Sequence, residues 1–190
     1  MDVYDAILSR RSIFEFKAEP VPIELLEKVL DAGRWAQNHR LTEPWRFRAL
    51  GPETHQALAE AFATVQLSAL PPGVGEMERN AVRAGAMKKI LTRPQVVVAS
   101  YMRGSDETHR WEELAATSCA IQNIQLAAWG EGLGMQWSSN RMTRHPVTYA
   151  LLGMDPEVEE IIAFLYFGFP AVVPEPRPRK PLEEVFQRLP

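Results

Sequence analysis

Gln95-Val96-Val97-Val98-Ala99-Ser100-Tyr101 is the stretch whose reading decides the fold. It follows Pro94 and runs apolar and β-branched without the polar alternation of a half-solvated strand. That pattern predicts a strand buried on both faces. Downstream, residues 110–130 form a long helix rich in small side chains, in which Leu114, Ser118, Ile121, Gln125 and Ala128 recur at helical spacing and mark one face. Its alanines would let another helix come close. Gly130, Gly132 and Gly134 end it, and Met135-Gln136-Trp137-Ser138 reads as a short strand leading into a polar turn. A helix over 146–152 and a second buried strand over 161–168 follow.

Upstream, the charged segment 76–91 predicts a helix, which Pro71-Pro72-Gly73 separates from another over 52–70. Arg46 to Leu50 reads as a strand. Leu25, Leu26, Val29, Leu30, Gly33 and Ala36 keep helical spacing after Pro22, a residue favoured where helices begin. Val3, Ile7 and Leu8 suggest a short amphipathic helix ending near Ser9, and residues 12–20 are mixed. Prolines 170, 174, 176, 178 and 181 exclude a helix and predict an extended arm, with a short helix over 182–188 behind it. An arm of this kind has few internal bonds and usually lies on something, often a partner subunit. About four strands among more numerous helices give an α+β architecture, and nothing divides the chain: residues 1–190 read as one domain.

The 190 residues are enough for a proper core. A net charge of −3 with mixed signs argues against a general nucleic-acid surface. No apolar stretch approaches a membrane span, and the start, MDVYDAILSRRS, does not read as a secretory signal. The single cysteine, Cys119, can form no internal disulfide and reads as a small core side chain. The four histidines lack metal-ligand spacing, so no metal is expected. A cytoplasmic location is the default.

No G-x-G-x-x-G, P-loop, H-E-x-x-H or G-x-S-x-G occurs. What remains is a set of anion-binding candidates. Arg10-Arg11-Ser12 closes the first helix, and Arg177-Pro178-Arg179-Lys180 lies in the tail. A guanidinium fork with a neighbouring hydroxyl suits a phosphate, though each cluster alone also reads as a solvated basic patch. The loop 37–44, with Asn38, His39, Arg40 and Thr42, reads as a ligand-contacting loop or a plain connection. Trp137-Ser138-Ser139-Asn140 reads as a similar contact or as a capped turn with a core tryptophan.

Four blocks in order carry a resemblance. They are Arg10-Arg11-Ser12-Ile13-x-x-Phe16 with Pro20-Val21-Pro22; Ala36 to Pro44-Trp45-Arg46-Phe47; Ala120-x-x-Asn123-x-x-Leu126-Ala127-Ala128 with Gly132-Leu133-Gly134 and Trp137; and Leu165-x-x-Gly168-x-Pro170 with Arg177-x-Arg179-Lys180-Pro181-Leu182. With them the sequence resembles the nitroreductase superfamily, in particular its small single-domain bacterial members. The resemblance implies an α+β sandwich, a central mostly antiparallel sheet flanked by helices. It also implies an intertwined homodimer with two FMN sites at its interface, the arm 170–190 wrapping the partner.

By the same resemblance Arg10, Arg11 and Ser12 grip the flavin phosphate and ribityl chain, and Arg177 and Arg179 close on that phosphate. His39, Leu41 and Thr42 fall near the flavin ring, and Trp137, Ser138 and Ser139 along its other side. The implied activity is reduction of nitroaromatic, quinone or similar small acceptors with NAD(P)H by a ping-pong hydride mechanism, with no catalytic side chain required. The chain departs from the commoner pattern at Leu41, Glu43 and Phe14, where asparagine, glutamine and a basic residue are usual. Arg40, if it points at the ring, would supply a positive charge favouring the reduced flavin; otherwise it lies in solvent. The departures keep open specialised chemistry (dehydrogenation, dehalogenation or flavin breakdown) and a non-enzymatic flavin-binding role.

Overall fold

The computed structural model describes residues 1–190. Four strands, β1 (Trp45–Ala49), β2 (Gln95–Met102), β3 (Gly134–Ser138) and β4 (Glu159–Gly168), form one sheet in the order β1-β2-β4-β3, every neighbouring pair antiparallel. The six helices are α1 (Val3–Ser9), α2 (Ile23–Asp31), α3 (Pro52–Ser68), α4 (Glu76–Leu91), α5 (Glu107–Gly130) and α6 (Pro146–Leu152).

β2 shows why the sheet is central. Val96 and Val98 face a core built with Leu58, Phe62, Ile90 and Tyr149 of α3, α4 and α6. Val97 and Ala99 face a second core built with Leu26, Val29, Ile121 and Ile124 of α2 and α5. All four residues are fully buried, as an uninterrupted apolar run requires. The result is a three-layer α+β sandwich.

Local chemistry sets the element ends. Pro52 and Pro146 occupy first-turn positions of α3 and α6, where their missing N–H is harmless. The Asp106 carboxylate caps α5 by accepting from the His109 N–H at 3.0 Å. Gly132, at φ +76°, takes the left-handed conformation that lets the chain leave α5, while the Leu133 N–H returns to the Ala128 carbonyl at 2.8 Å. The turn Ala32–Trp35 packs on α5 so closely that a methyl group on Gly33 would come within 2.8 Å of Ile124 Cδ1.

Three expectations need correction. The buried face of α5 is centred on Thr117, Ala120, Ile121 and Ile124, whereas Leu114 and Ser118 are only half-buried; in an alanine-rich helix the small residues blur the stripe by about one position. The helix that begins after Pro22 ends at Asp31 and tightens into a separate turn. The expected helix over 182–188 is a single turn, Leu182–Glu184. The short helix read from Val3, Ile7 and Leu8 forms and ends at Ser9, with those three side chains exposed and only Ala6 buried.

After β4 the chain runs antiparallel to its own N-terminal segment. The Lys17 N–H donates to the Phe169 carbonyl at 2.8 Å and the Ala171 N–H to the Glu15 carbonyl at 3.0 Å. The same segment pairs on its other side with β3, through a parallel bridge between Ser12 and Met135. The two chain ends therefore meet at the β3 edge of the sheet. No helix is long and apolar enough to cross a membrane.

Candidate anion-binding cleft and its borders

The meeting of the ends makes a cleft of about 490 Å³. Arg10, Arg11, Ser12 and Phe14 line it from one end of the chain, and Arg177 and Arg179 from the other. Four guanidiniums face one carboxylate, Glu175. Arg11 is partly committed to structure, since its Nη1 donates to the carbonyls of Leu8 and Arg10, both at 2.9 Å, closing the end of α1.

Arg10 is different. Its Nη1 is buried and has no hydrogen-bond partner. Burial, with Arg11 and Arg179 nearby, holds its guanidinium below the usual range. A partly buried cation among like charges, with a buried donor left free, is an unfavourable arrangement unless an anion completes it. The donor set, several forked guanidiniums and the Ser12 hydroxyl, suits a phosphate monoester.

The other sequence-identified residues stand elsewhere. Trp137 is half-buried against the α2/α5 core, one alternation along β3 from the residue that pairs with Ser12. Ser138 Oγ accepts from Asn140 Nδ2 at 3.2 Å, and Asn140 Oδ1 caps the following turn by accepting from the Met142 N–H at 2.8 Å. Trp137 to Asn140 is thus a capped turn at the end of the edge strand. Ser139 is exposed and borders a different cleft, of about 410 Å³, with Asn140, Arg141, Arg144 and Glu160.

The loop after Ala36 lies on the N-terminal half of α5. Thr42 Oγ1 donates to Glu113 Oε2 at 2.8 Å, and Gln37 Nε2 lies 3.1 Å from Cys119 Sγ. Arg40, Leu41 and Glu43 have φ of 54°, 54° and 45°. Such backbone costs about 1–2 kcal/mol per non-glycine residue. It is held by Asn38, whose Oδ1 accepts from the Glu43 N–H at 2.9 Å. Leu41 is 82% exposed and His39 and Arg40 are exposed. A strained loop that displays an apolar side chain fits a contact surface better than a plain connection. Within one chain, then, Arg10, Arg11, Ser12, Arg177 and Arg179 share a cleft, while His39, Leu41, Thr42 and Ser139 do not line it.

Sequence reading missed Arg93. Its Nη1 donates to the Phe14 carbonyl at 2.6 Å, and its guanidinium lies over the rings of Phe16 and Tyr166, 5.5 and 5.2 Å from their centres. The available signal was a cation placed directly before Pro94 and the most buried strand. No cluster of side chains able to hold a metal ion is present, and the partly buried pair of Arg48 and Glu159 joins β1 to β4 as structure rather than as a site.

Comparison with known proteins agrees with this architecture. The chain is 35% identical over 187 residues to YfhC of Bacillus subtilis, a protein provisionally named an NAD(P)H nitroreductase, covering 97% of this chain and 93% of the relative. It superposes on a nitroreductase-like family protein from Bacillus cereus with a TM-score of 0.85 at 27% identity, over 100% of this chain and 96% of the other. A Desulfovibrio desulfuricans nitroreductase-type protein solved in complex with FMN shares the fold, with a TM-score of 0.73 at 23% identity, covering 100% of this chain and 98% of that one. The model of the nitroreductase family matches residues 7–169, and the chain belongs to that family.

Proposed function

We propose that this chain is an FMN-dependent oxidoreductase that uses NAD(P)H to reduce nitroaromatic, quinone or similar small acceptors, and that it works as a cytoplasmic homodimer. One observation carries the reading: both ends of the chain converge on Arg10, whose buried Nη1 has no partner within the protein. The residues fit the cofactor at its most charged point, because a phosphate dianion would satisfy that donor and, with Glu175, offset most of the charge of the four guanidiniums. The FMN complex of the Desulfovibrio relative supports the same identification.

In this reading Arg10, Ser12, Arg177 and Arg179 hold the phosphate and Arg11 shapes the cleft wall. Trp137, Ser138 and Ser139 border the ring. A bound flavin supplies the hydride chemistry, and the protein binds, orients and shields it. His39, Leu41 and Thr42 reach a ring site from a second copy of the chain, which is why they stand apart from the cleft in one subunit. The exposed apolar side chains favour that assembly: the Val3, Ile7 and Leu8 face of α1, together with Leu41, Trp35 and Trp111, the last two 83% and 69% exposed. Monomers seldom leave so much large apolar surface in water. The arm 170–190 starts along its own residues 15–17, and its exposed end carries Leu182, Val185, Phe186 and Leu189 for a partner to cover.

Donor and acceptor use one pocket in turn, so initial-velocity lines are parallel. The test is an absorbance spectrum of protein supplemented with FMN and desalted, before and after NADPH under nitrogen. Retained flavin bands that bleach support the reading. Retained bands that do not bleach remove the reductase, and absence of retained flavin overturns the proposal.

A further inference from the structure

Arg93 stands between β2 and the N-terminal segment, behind the cleft wall that Phe14 provides. Four observations concern it. Its Nη1 fixes the Phe14 carbonyl at 2.6 Å. Its guanidinium lies over the rings of both Phe16 and Tyr166. Its Nε is buried and has no partner. No carboxylate lies within ion-pair distance of it, although 24 acidic residues are available in the chain. Burial holds its guanidinium below the usual range, as at Arg10.

A partly desolvated cation without a counter-ion is costly. Packing alone would be served as well by a methionine, which has no charge to desolvate. Arg93 also connects the two borders of the site. It touches the Phe14 backbone on one side. On the other it lies on Tyr166, whose hydroxyl faces Ser138 and Asn140 and whose phenol is pushed up by burial. Phe14 is an exposed apolar side chain of the cleft wall, and this guanidinium stands directly on its backbone.

We propose that Arg93 is the electrostatic positioning residue of the cofactor site: it fixes the Phe14 wall and places a positive charge without a carboxylate partner behind that wall. The proposal rests on the flavin reading above. Two-electron reduction with uptake of one proton adds one negative charge to the ring system, the donor NAD(P)H leaving as NAD(P)⁺. A fixed cation therefore favours the reduced cofactor over the oxidised one, and binds the oxidised form little better than a neutral residue would. Arg40, exposed on a strained loop of the same chain, is not needed for this role within one subunit.

The experiment compares Arg93→Met, Arg93→Lys and the unsubstituted protein, each reconstituted with FMN. The midpoint potential is read against a reference dye, the FMN dissociation constant by fluorescence, and Tm by calorimetry. Arg93→Met is expected to shift the reduced-to-oxidised equilibrium about tenfold toward oxidised, the order of a single charge–charge interaction at protein-like dielectric. That equals about 30 mV for a two-electron couple. Arg93→Lys retains most of the potential, and the dissociation constant of oxidised FMN changes less than the potential does. An unmoved potential in Arg93→Met with flavin bound overturns the inference alone. Equal shifts in the two variants refute the role of charge. Failure of the unsubstituted protein to retain FMN overturns this inference and the function above together.

Discussion

Replacing Arg10 by alanine separates a binding role from a structural one, because the two predict opposite effects on the empty protein. Arg10 has a buried Nη1 without a partner and sits beside Arg11 and Arg179. In the empty chain its removal deletes a poorly solvated charge and relieves like-charge repulsion, so Tm should stay level or rise. In the bound protein the same change deletes a charge-assisted hydrogen bond worth about 1.5–3 kcal/mol. At 1.36 kcal/mol per decade, FMN binding weakens roughly tenfold to a hundredfold. Stabilisation by saturating ligand falls by the same increment. For a chain of this size, with about 2–4 °C per kcal/mol, the FMN-induced rise in Tm shrinks by roughly 3–12 °C. Fluorescence titration and calorimetry with and without FMN give both numbers. A dissociation constant within twofold of the unsubstituted protein, or a loss of several degrees in the empty protein, would refute the reasoning.

Other sites test the scaffold. Glu159→Gln removes the charge that Arg48 and Ser100 hydrogen-bond in the sheet; with Arg48 partly exposed, the cost is about 3 kcal/mol, the low end for a buried pair. Burial raises the Glu159 carboxyl, but the bonds from Arg48 and Ser100 prevail and hold it below its reference of 4.5. The native advantage over Glu159→Gln is therefore full above about pH 4.5 and is lost as pH falls through the lower folded value, which urea titrations at several pH values will read. Gly33→Val forces a side chain against Ile124 and is expected to cost about 1–3 kcal/mol by the same assay; a neutral effect would contradict the close approach to α5. Asn38→Ala removes the acceptor for the Glu43 N–H and should cost about 1 kcal/mol, with faster amide exchange confined to residues 39–43.

The fold was largely legible because its decisive signals are local. The run at residues 95–101 has only one comfortable environment, and the structure supplies it, with Val96 and Val98 on one core and Val97 and Ala99 on the other. Pro52 and Pro146 set helix starts through steric rules that need no tertiary context. Where the reading missed or stopped short, the information was not local. Val3, Ile7 and Leu8 are amphipathic by spacing, but spacing cannot distinguish a face turned to the core from one turned to a partner. The stripe on α5 slipped because alanine fits buried and half-buried positions alike, so only packing against Gly33 and the sheet decides which alanines go in.

The site divides along the same line. Arg10 and Arg179 are nearly the whole chain apart in sequence, and nothing local predicts that they meet; the resemblance supplied the pairing, and the antiparallel contact of residues 15–17 with 169–171 is its physical cause. Arg93 escaped because its role depends on where Phe14 and Tyr166 place a carbonyl and two rings, which composition and motif do not encode. The loop at 38–43 carries the opposite lesson. Its residue types suggested a ligand contact, yet its strain and the exposure of Leu41 are what cover by the proposed second copy would account for. Three positive φ values on non-glycine residues cost more than a connection between α2 and β1 requires. If that cost is repaid by covering Leu41 in a dimer, the loop is more tightly held in the assembly than in the isolated chain, and amide exchange at residues 39–43 slows as protein concentration passes through the dimer dissociation constant. Exchange there that does not vary with concentration across that range would leave the strain without a functional cause.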